Sequence, residues 1–360
     1  MSNGARRTRG MLLGKFLPLH AGHLHLVRTA AAASDELTVL VCTLERDPIP
    51  GALRAAWMRE MVAAIGARVR VVHVAEEVPQ SPAEHPHFWE IWRALCARHA
   101  GPVDVVFSSE CYGDELARVL GARHHLVDLE RRAYPVSGTA VRDDPLRSWD
   151  MLPPPVRAYY ARRVALVGPE STGKSTLAAR LAAAFGTVWV PEYGREHTAA
   201  IAAREGTPGF AEFFTLGDVE TIARVQRERE ERAARHANRV LFCDTDALTT
   251  RVWSEIYFGC CPEPVRAAAQ ADAHHLTLLM DTDIPWVDDG TRGFAHRRRW
   301  HFERIRESLD ALGRSYEIVS GSFEERLERA AAAVRCRWPS LERIDEPAEL
   351  PSSCLATLDR

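Results

Sequence analysis

The chain has no Cys-x-x-Cys pair, and no apolar run approaches the ~20 residues that a membrane-spanning helix needs. Its eight cysteines, at 42, 96, 111, 243, 260, 261, 336 and 354, are scattered. Several fall inside apolar segments, where cysteine behaves as a small buried hydrophobe. A disulfide framework is therefore not expected, and a reducing cytoplasm fits. The opening MSNGARRTRG is basic, but no signal-like apolar run and cleavage site follow it. The expectation is a cytoplasmic protein without membrane contact. An excess of basic charge is missing too: the net charge of −3 gives no footing for non-specific nucleic-acid binding. No internal repeat or low-complexity linker appears. No G-x-G-x-x-G follows the first strand, which argues against a dinucleotide redox domain.

What is present begins at mid-chain. The apolar strand Val164–Val167 runs into Gly168-Pro169-Glu170-Ser171-Thr172-Gly173-Lys174-Ser175-Thr176, and a helix rich in Leu and Ala follows. This is G-x-x-x-x-G-K-[ST] with a strand before and a helix after, a phosphate-binding P-loop. Its backbone N–H groups and the helix N-terminus favour an anion. Lys174 would neutralise β/γ-phosphates and Ser175 would ligate Mg²⁺. A length of 360 residues predicts two domains, each able to bury its own core.

The first half alternates strand-like and helix-like runs, predicting a parallel sheet with crossover helices. Strands are expected at 10–16, 37–44, 69–74, 103–108 and 125–129, with helices near 22–33, 53–65, 87–99 and 113–120. After the first strand comes Gly14-Lys15-Phe16-Leu17-Pro18-Leu19-His20-Ala21-Gly22-His23. Gly22 permits close approach of a ligand, His20 and His23 offer donors to phosphate oxygens, and Lys15 adds a mobile positive charge. A His-x-x-His metal pair is the competing reading, without a third ligand at a telling spacing. Further on, Val136-Ser137-Gly138-Thr139-Ala140-Val141-Arg142 places hydroxyls and an arginine at another strand-to-helix junction. Arg54 is a candidate for an acceptor's phosphate, or else a solvated first-turn charge. Trp57 shares its helix. Tyr112, at the end of the fourth strand, is a candidate lining residue.

The two motifs resemble the nucleotidyltransferase superfamily, with signatures [H/T]-x-G-H and I-S-x-T-x-x-R, Val136 replacing Ile. The resemblance implies transfer of AMP from ATP with release of pyrophosphate. His20, His23, Lys15 and Arg142 would then contact or stabilise the phosphates, and Gly14, Phe16, Gly22, Ser137 and Thr139 would help to hold ATP.

Prolines at 145 and 153–155 suggest a short connector over 148–162. In the second half, a strand over 187–191 leads to Glu192-Tyr193-Gly194-Arg195. Glu192 could deprotonate a substrate hydroxyl, or simply favour a helix N-terminus. A helix is expected near 211–236, its charge run a solvated face. The strand Val240–Asp244 ends in acids; Asp244 reads as the Mg²⁺ carboxylate, with Asp246 holding substrate or the water shell. After a strand at 276–280, Trp286 could face a planar cation, with Asp288 near ribose hydroxyls; a loop-anchoring Trp is the alternative. Arg292, Arg297, Arg298 and Arg299 suggest a lid, or else a solvated basic loop, before a helix at about 300–312. A last strand at 316–320 and helix at 323–334 close the domain, and the tail from 339 is irregular.

The order of all these elements resembles the NadR family, in which a nicotinamide mononucleotide (NMN) adenylyltransferase precedes a ribosylnicotinamide kinase. The resemblance covers nearly the whole chain. It implies an α/β fold of two domains: a Rossmann-like nucleotidyltransferase sheet at 9–147 and a P-loop kinase sheet at 163–338. ATP in the kinase would contact Gly168, Glu170, Ser171, Thr172, Gly173, Ser175, Thr176, Arg292 and Arg297. The riboside would meet Tyr193, Arg195, Asp246, Trp286 and Asp288, while Arg54, Trp57 and Tyr112 would serve NMN. Implied partners are nicotinamide riboside, NMN, ATP and NAD, with Mg²⁺ as cofactor and a homo-oligomer left open. About ten residues precede the first strand, too few for the helix-turn-helix of regulatory members, so the enzymatic roles are the expectation. Two alternatives stay open. One is a pantetheine-phosphate adenylyltransferase joined to a dephospho-CoA kinase; the other is a non-enzymatic, ATP-dependent NAD sensor.

Overall fold

The computed structural model describes residues 7–66, 68–205, 213–271, 274–287 and 295–341. The chain divides into two compact units, the first ending at Val156 and the second beginning at Arg157. Each is built on a five-stranded, wholly parallel sheet.

In the first unit the strands are β1 (Arg9–Gly14), β2 (Glu36–Cys42), β3 (Val69–Val74), β4 (Val105–Ser108) and β5 (Arg123–Leu126), in the order β3-β2-β1-β4-β5. The second unit contains β6 (Arg162–Val167), β7 (Trp189–Val190), β8 (Val240–Asp244), β9 (Leu276–Met280) and β10 (Tyr316–Val319), ordered β10-β9-β6-β8-β7. Parallel strands need helical crossovers that cover both faces, which is why the central strands read as continuous apolar runs instead of alternating ones. Met11, Leu40 and Val106 pack against Trp92 and Leu95 of the helix Phe88–Ala100. Ala165, Val167 and Leu279 pack against Val252, Phe302 and Ile305. Each buried Val, Leu, Ile, Phe or Met among them contributes about 1.5–3 kcal/mol by leaving water.

In both sheets the earliest strand lies in the interior, flanked by strands whose connections leave in opposite directions. Open α/β sheets bind ligands at the carboxyl ends of strands at such a reversal. Here those ends are Gly14 and Ser108 in the first unit, and Val167, Asp244 and Met280 in the second.

The elements depart from the sequence expectation in definite places. β5 ends at Leu126, three residues early, leaving 127–136 as a loop. The proline stretch contains the helix Pro154–Tyr160, because proline fits the first helical turn, where its missing N–H has no partner to lose. The helix Leu216–Ala234 is shorter than expected and starts at a Thr215/Asp218 capping box. The helix Tyr193–Glu205 starts directly after Glu192, as the alternative reading of that residue has it, whereas Ala247–Phe258 and Glu263–Gln270 were not anticipated. Among the described residues no helix is long and apolar enough to cross a membrane.

Candidate functional sites

In the first unit, β1 delivers Gly14 to a loop that enters the helix Ala21–Ala32 at His20, which holds the extended N-cap conformation without a side-chain cap bond. Three and four residues apart on a helix means one face, and here His20 and His23 stack, ring centroids 3.6 Å apart and planes 21° from parallel. Phe16 meets His23 edge-on at 5.0 Å. Both histidines have a buried Nδ1 without a hydrogen-bond partner. Burial, aided by the charge of Arg131, lowers His20 to about 4. Burial, the neighbouring His20 and Arg131 hold His23 well below the ordinary imidazole range. The pair is therefore neutral near pH 7, each ring keeps one buried unsaturated nitrogen, and both residues line a cavity of about 690 Å³.

The second wall comes from Ser137–Arg142. Ser137 caps its helix by accepting from Ala140 N at 3.1 Å. Arg142 donates to Leu17 O at 2.5 Å and to Thr139 Oγ1 at 3.2 Å, joining the wall to the histidine loop. Glycine at 138 is required by this junction, since a Cβ there would stand 2.5 Å from Leu17 O. Gly14, Lys15, Phe16 and Gly22 line the same cavity, as do Ser137 and Thr139, and so does Tyr112, which donates to Leu13 O at 3.2 Å. Lys15 stands 3.4 Å from Asp47.

Arg54 and Trp57 are placed differently from the expectation. Arg54 is fully buried, donating to Ile49 O (3.1 Å), Lys15 O (2.6 Å) and Asp47 Oδ2 (2.6 Å). All its donor groups are engaged within the fold, so it braces the loop behind the histidines and is not available to an acceptor's phosphate. Trp57 is core, 4% exposed. Conversely, Arg131 lines the cavity unannounced. The early end of β5 creates its loop, and Asp128 shapes it by accepting from the backbone N–H groups of Arg132 and Ala133. Trp89 and Trp92 form an apolar flank.

In the second unit, the loop after β6 turns at Gly173 (φ +78°), a left-handed conformation that favours glycine, before the helix Lys174–Ala184. Lys174 is folded onto its own loop, Nζ donating to Gly168 O (3.0 Å) and Pro169 O (2.8 Å). Thr172 Oγ1 also donates to Pro169 O, at 2.8 Å. Arg298 donates to Ser171 O at 3.0 Å. Arg326, fully buried, donates to Thr172 O (2.9 Å), Gly321 O (2.8 Å) and Asp281 O (3.1 Å) and pairs with Asp283. Thr176 is exposed on the following turn.

Ser175 Oγ donates to Asp244 Oδ2 at 2.5 Å, while Asp244 Oδ1 is buried without a hydrogen-bond partner. Burial and the negative charge of Glu192 raise Asp244 to about 6, against the pull of Lys174, Ser175 and Arg195. A hydroxyl and a carboxylate with one unsatisfied oxygen form a hard-oxygen set that suits a divalent cation such as Mg²⁺.

Beside the loop opens a cavity of about 250 Å³ lined by Glu170, Lys174, Glu192 and Arg195 and by Phe214, Trp253 and Tyr257. Trp253 and Tyr257 stack with centroids 5.5 Å apart at 20°, one helical turn apart on Ala247–Phe258. His301 stands edge-on to Trp253 at 4.1 Å, and burial with the charge of Lys174 lowers it to about 3. The aromatic wall was missed in the sequence, although Trp253 and Tyr257 at i,i+4 just beyond Asp246 were its signal.

Trp286 lies elsewhere. The guanidinium of Arg298 sits 5.7 Å from its ring centroid, so one face is taken by a cation of the chain, and it does not line the cavity. Asp246, expected to hold substrate, caps Ala247–Phe258, accepting from Thr249 N and Oγ1 at 2.7 Å each, with Arg314 at 3.5 Å. Tyr193 packs under Arg229, 4.5 Å from its ring, with its hydroxyl toward His197, outside the cavity lining. Arg297 is exposed. Asp288 and Arg292 lie outside the described residues.

Comparison with known proteins agrees in extent with both units. Residues 163–326 match the family described as an AAA domain. The trifunctional NAD biosynthesis/regulator protein NadR of Escherichia coli (strain K12) is 30% identical over 306 residues, spanning 80% of this chain and 72% of the relative. Its namesake in Salmonella typhimurium (strain LT2) is 30% identical over 301 residues, 79% of this chain and 71% of the relative. Two solved structures share the fold. A NadR protein in complex with NR has a TM-score of 0.75 at 21% identity, and a NadR protein in complex with NAD and AMP-PNP has 0.73 at 22%. Each covers 92% of this chain and 96% of the other. The identity to the curated relatives over most of both lengths, on an architecture matched from end to end, places this chain in the NadR family.

Proposed function

We propose that this chain phosphorylates nicotinamide riboside with ATP in its second unit and adenylylates NMN with ATP in its first, yielding NAD and pyrophosphate. The single observation that carries the reading is that each unit has its own phosphate cradle at its sheet reversal, and each cradle opens on an aromatic-flanked cavity. The NadR relatives, which are NAD biosynthesis/regulator proteins, and the NadR structures in complex with NR and with NAD and AMP-PNP support it. We assign the adenylyl transfer to residues 9–147 and the kinase to 163–338, in the cytoplasm, where ATP and reduced thiols coexist.

In the kinase, the riboside's planar cationic ring is held at the wall of Phe214, Trp253 and Tyr257 by stacking and cation–π attraction. Glu192 accepts the proton of the 5′-hydroxyl as it attacks the γ-phosphate. Lys174 leaves the carbonyls of Gly168 and Pro169 for the phosphates, its charge opposing what develops in transfer. Ser175 and Asp244 would hold Mg²⁺, which would supply charge neutralisation for the transferring phosphate. In the transferase, the NMN phosphate attacks the α-phosphate of ATP directly. His20 and His23 donate to phosphate oxygens, while Lys15, Arg131 and Arg142 stabilise the departing pyrophosphate. Catalysis there is alignment and electrostatics, without a covalent intermediate.

The test is product analysis. With nicotinamide riboside, ATP and Mg²⁺ the protein yields NMN and ADP, then NAD and pyrophosphate. Consumption of dephospho-CoA but not of the riboside would overturn the reading.

A further inference from the structure

Away from both cavities, the second unit buries three side chains of unlike chemistry together: Glu230, Cys243 and His274, their ligand atoms all within 4.8 Å of one another. They come from the helix Leu216–Ala234, from β8 and from the residues leading into β9. Cys243 is fully buried, and the Glu230 and His274 side chains are 4% and 5% exposed. His274 Nε2 lies 3.5 Å from Glu230 Oε2. His274 also hydrogen-bonds Cys243, so the imidazole joins the acid to the thiol, and three donor groups of unlike chemistry are held at one point away from water.

We propose that Glu230, Cys243 and His274 form a binding site for one thiophilic divalent cation of the zinc class, separate from the Mg²⁺ site. The donor set decides the class. A thiolate, an imidazole and a carboxylate select Zn²⁺ or Co²⁺, whereas Ser175 and Asp244 offer the hard oxygens that suit Mg²⁺. Zinc–ligand bonds of about 2.0–2.3 Å set donor atoms roughly 3.3–3.8 Å apart in a tetrahedron. The pocket therefore has to contract by about 1 Å, through rotation of Glu230 and His274 toward Cys243, which the strand holds in place. Three protein ligands leave a fourth position for water or a side-chain oxygen. Binding exchanges the thiol proton, which passes to solvent, for the cation.

The site's position gives it a consequence. Cys243 directly precedes Asp244 on β8, and successive residues of a strand point to opposite faces. Gln226 donates to Glu230 at 3.4 Å and accepts from Tyr193 N at 2.9 Å, and Tyr193 follows Glu192. A cation here would tie the two segments that carry the kinase acids, from the side of the sheet away from the nucleotide.

The whole chain, stripped with a chelator and kept in excess Mg²⁺, is titrated with Co²⁺. One equivalent per chain is expected, with a thiolate-to-Co²⁺ band in the near ultraviolet that Zn²⁺ abolishes by displacement. Zn²⁺ at about a hundredfold excess over its Kd should raise the second unit's thermal midpoint by roughly 5–10 °C. Cys243→Ser and His274→Gln should lose the band; Cys260→Ser/Cys261→Ser should keep it. No band in the unaltered protein, or a band that survives Cys243→Ser, overturns the proposal. Should these variants fail to fold, anomalous scattering from Zn²⁺-soaked crystals of the unaltered chain decides: a peak between the three side chains supports the site, and its absence refutes it.

Discussion

The two cradles meet the same problem, a polyanion, with opposite electrostatics. In the first unit the walls nearest the cavity are neutral imidazoles whose nitrogens are buried and unsaturated, with cations Arg131 and Arg142 at the sides. In the second, the central cation is present but engaged, Lys174 lying on two carbonyls of its own loop. A neutral donor needs no counter-ion while it waits, whereas a buried ammonium must be satisfied at all times. Behind each cradle stands a fully buried arginine: Arg54 reaches Lys15 O, and Arg326 reaches Thr172 O. The donors facing the ligand differ, but the braces behind them are alike.

The sharpest way to break this comparison is to remove one cradle at a time. Lys174→Met should lower riboside phosphorylation about 10³-fold and leave adenylyl transfer within about twofold. His23→Ala should do the reverse, read by separate assays for ADP and pyrophosphate. Loss of both activities from either change would refute two independent sites.

Next in size are the braces. Arg54→Met takes the donor from Ile49 O and Lys15 O, and Arg326→Met takes it from Thr172 O, Gly321 O and Asp281 O; each should cost about 2–3 kcal/mol, because buried acceptors lose their donor. Hydrogen exchange should show the loss at 15–20 for the first change and at 168–175 for the second. Protection lost in neither loop would end the likeness between the braces.

The neutral histidines make a pH prediction. His20 ionises near pH 4 when folded, against 6.5 for an ordinary imidazole. The unfolded chain therefore takes up a proton that the folded chain refuses between pH 6.5 and 4. Stability from this group is full above 6.5, falls through that window by roughly 3–3.5 kcal/mol and falls no further below it. Chemical denaturation across pH should show a shallower decline in His20→Gln. His301→Gln should do the same for the second unit, over a window reaching to about 3.

The smallest effect separates two tryptophans. Trp253→Leu should raise the KM for the riboside about tenfold with little change for ATP, the scale of one lost aromatic stack. Trp286→Leu should change it less than twofold. Equal effects would put the ring back at Trp286.

The sequence showed most clearly what depends on neighbours along the chain. Apolar runs ending in Gly14 and Gly168 declared β1 and β6, and the spacing of glycines, Lys174 and Ser175 declared the loop. Arg54 was misread because its partners, Lys15 O and Asp47, are tertiary; sequence distance hides whether an arginine is solvated or saturated. Asp246 was read as a ligand residue, although aspartate is itself a preferred helix N-cap. Recognising that cap would have revealed the helix Ala247–Phe258, and with it the stacked pair Trp253 and Tyr257. Arg131 had no local signal at all, since it depends on where β5 stops.

One contact in the first unit bears on how the cavity comes into being. Arg142 and Leu17 O meet across 125 positions of chain, so the two walls are joined by a closure of long sequence span. Such closures pay their entropy before they return any contact, and they form late. During synthesis the histidine loop leaves the ribosome long before its opposite wall exists. The first cavity is thus complete only when two residues 125 positions apart have met.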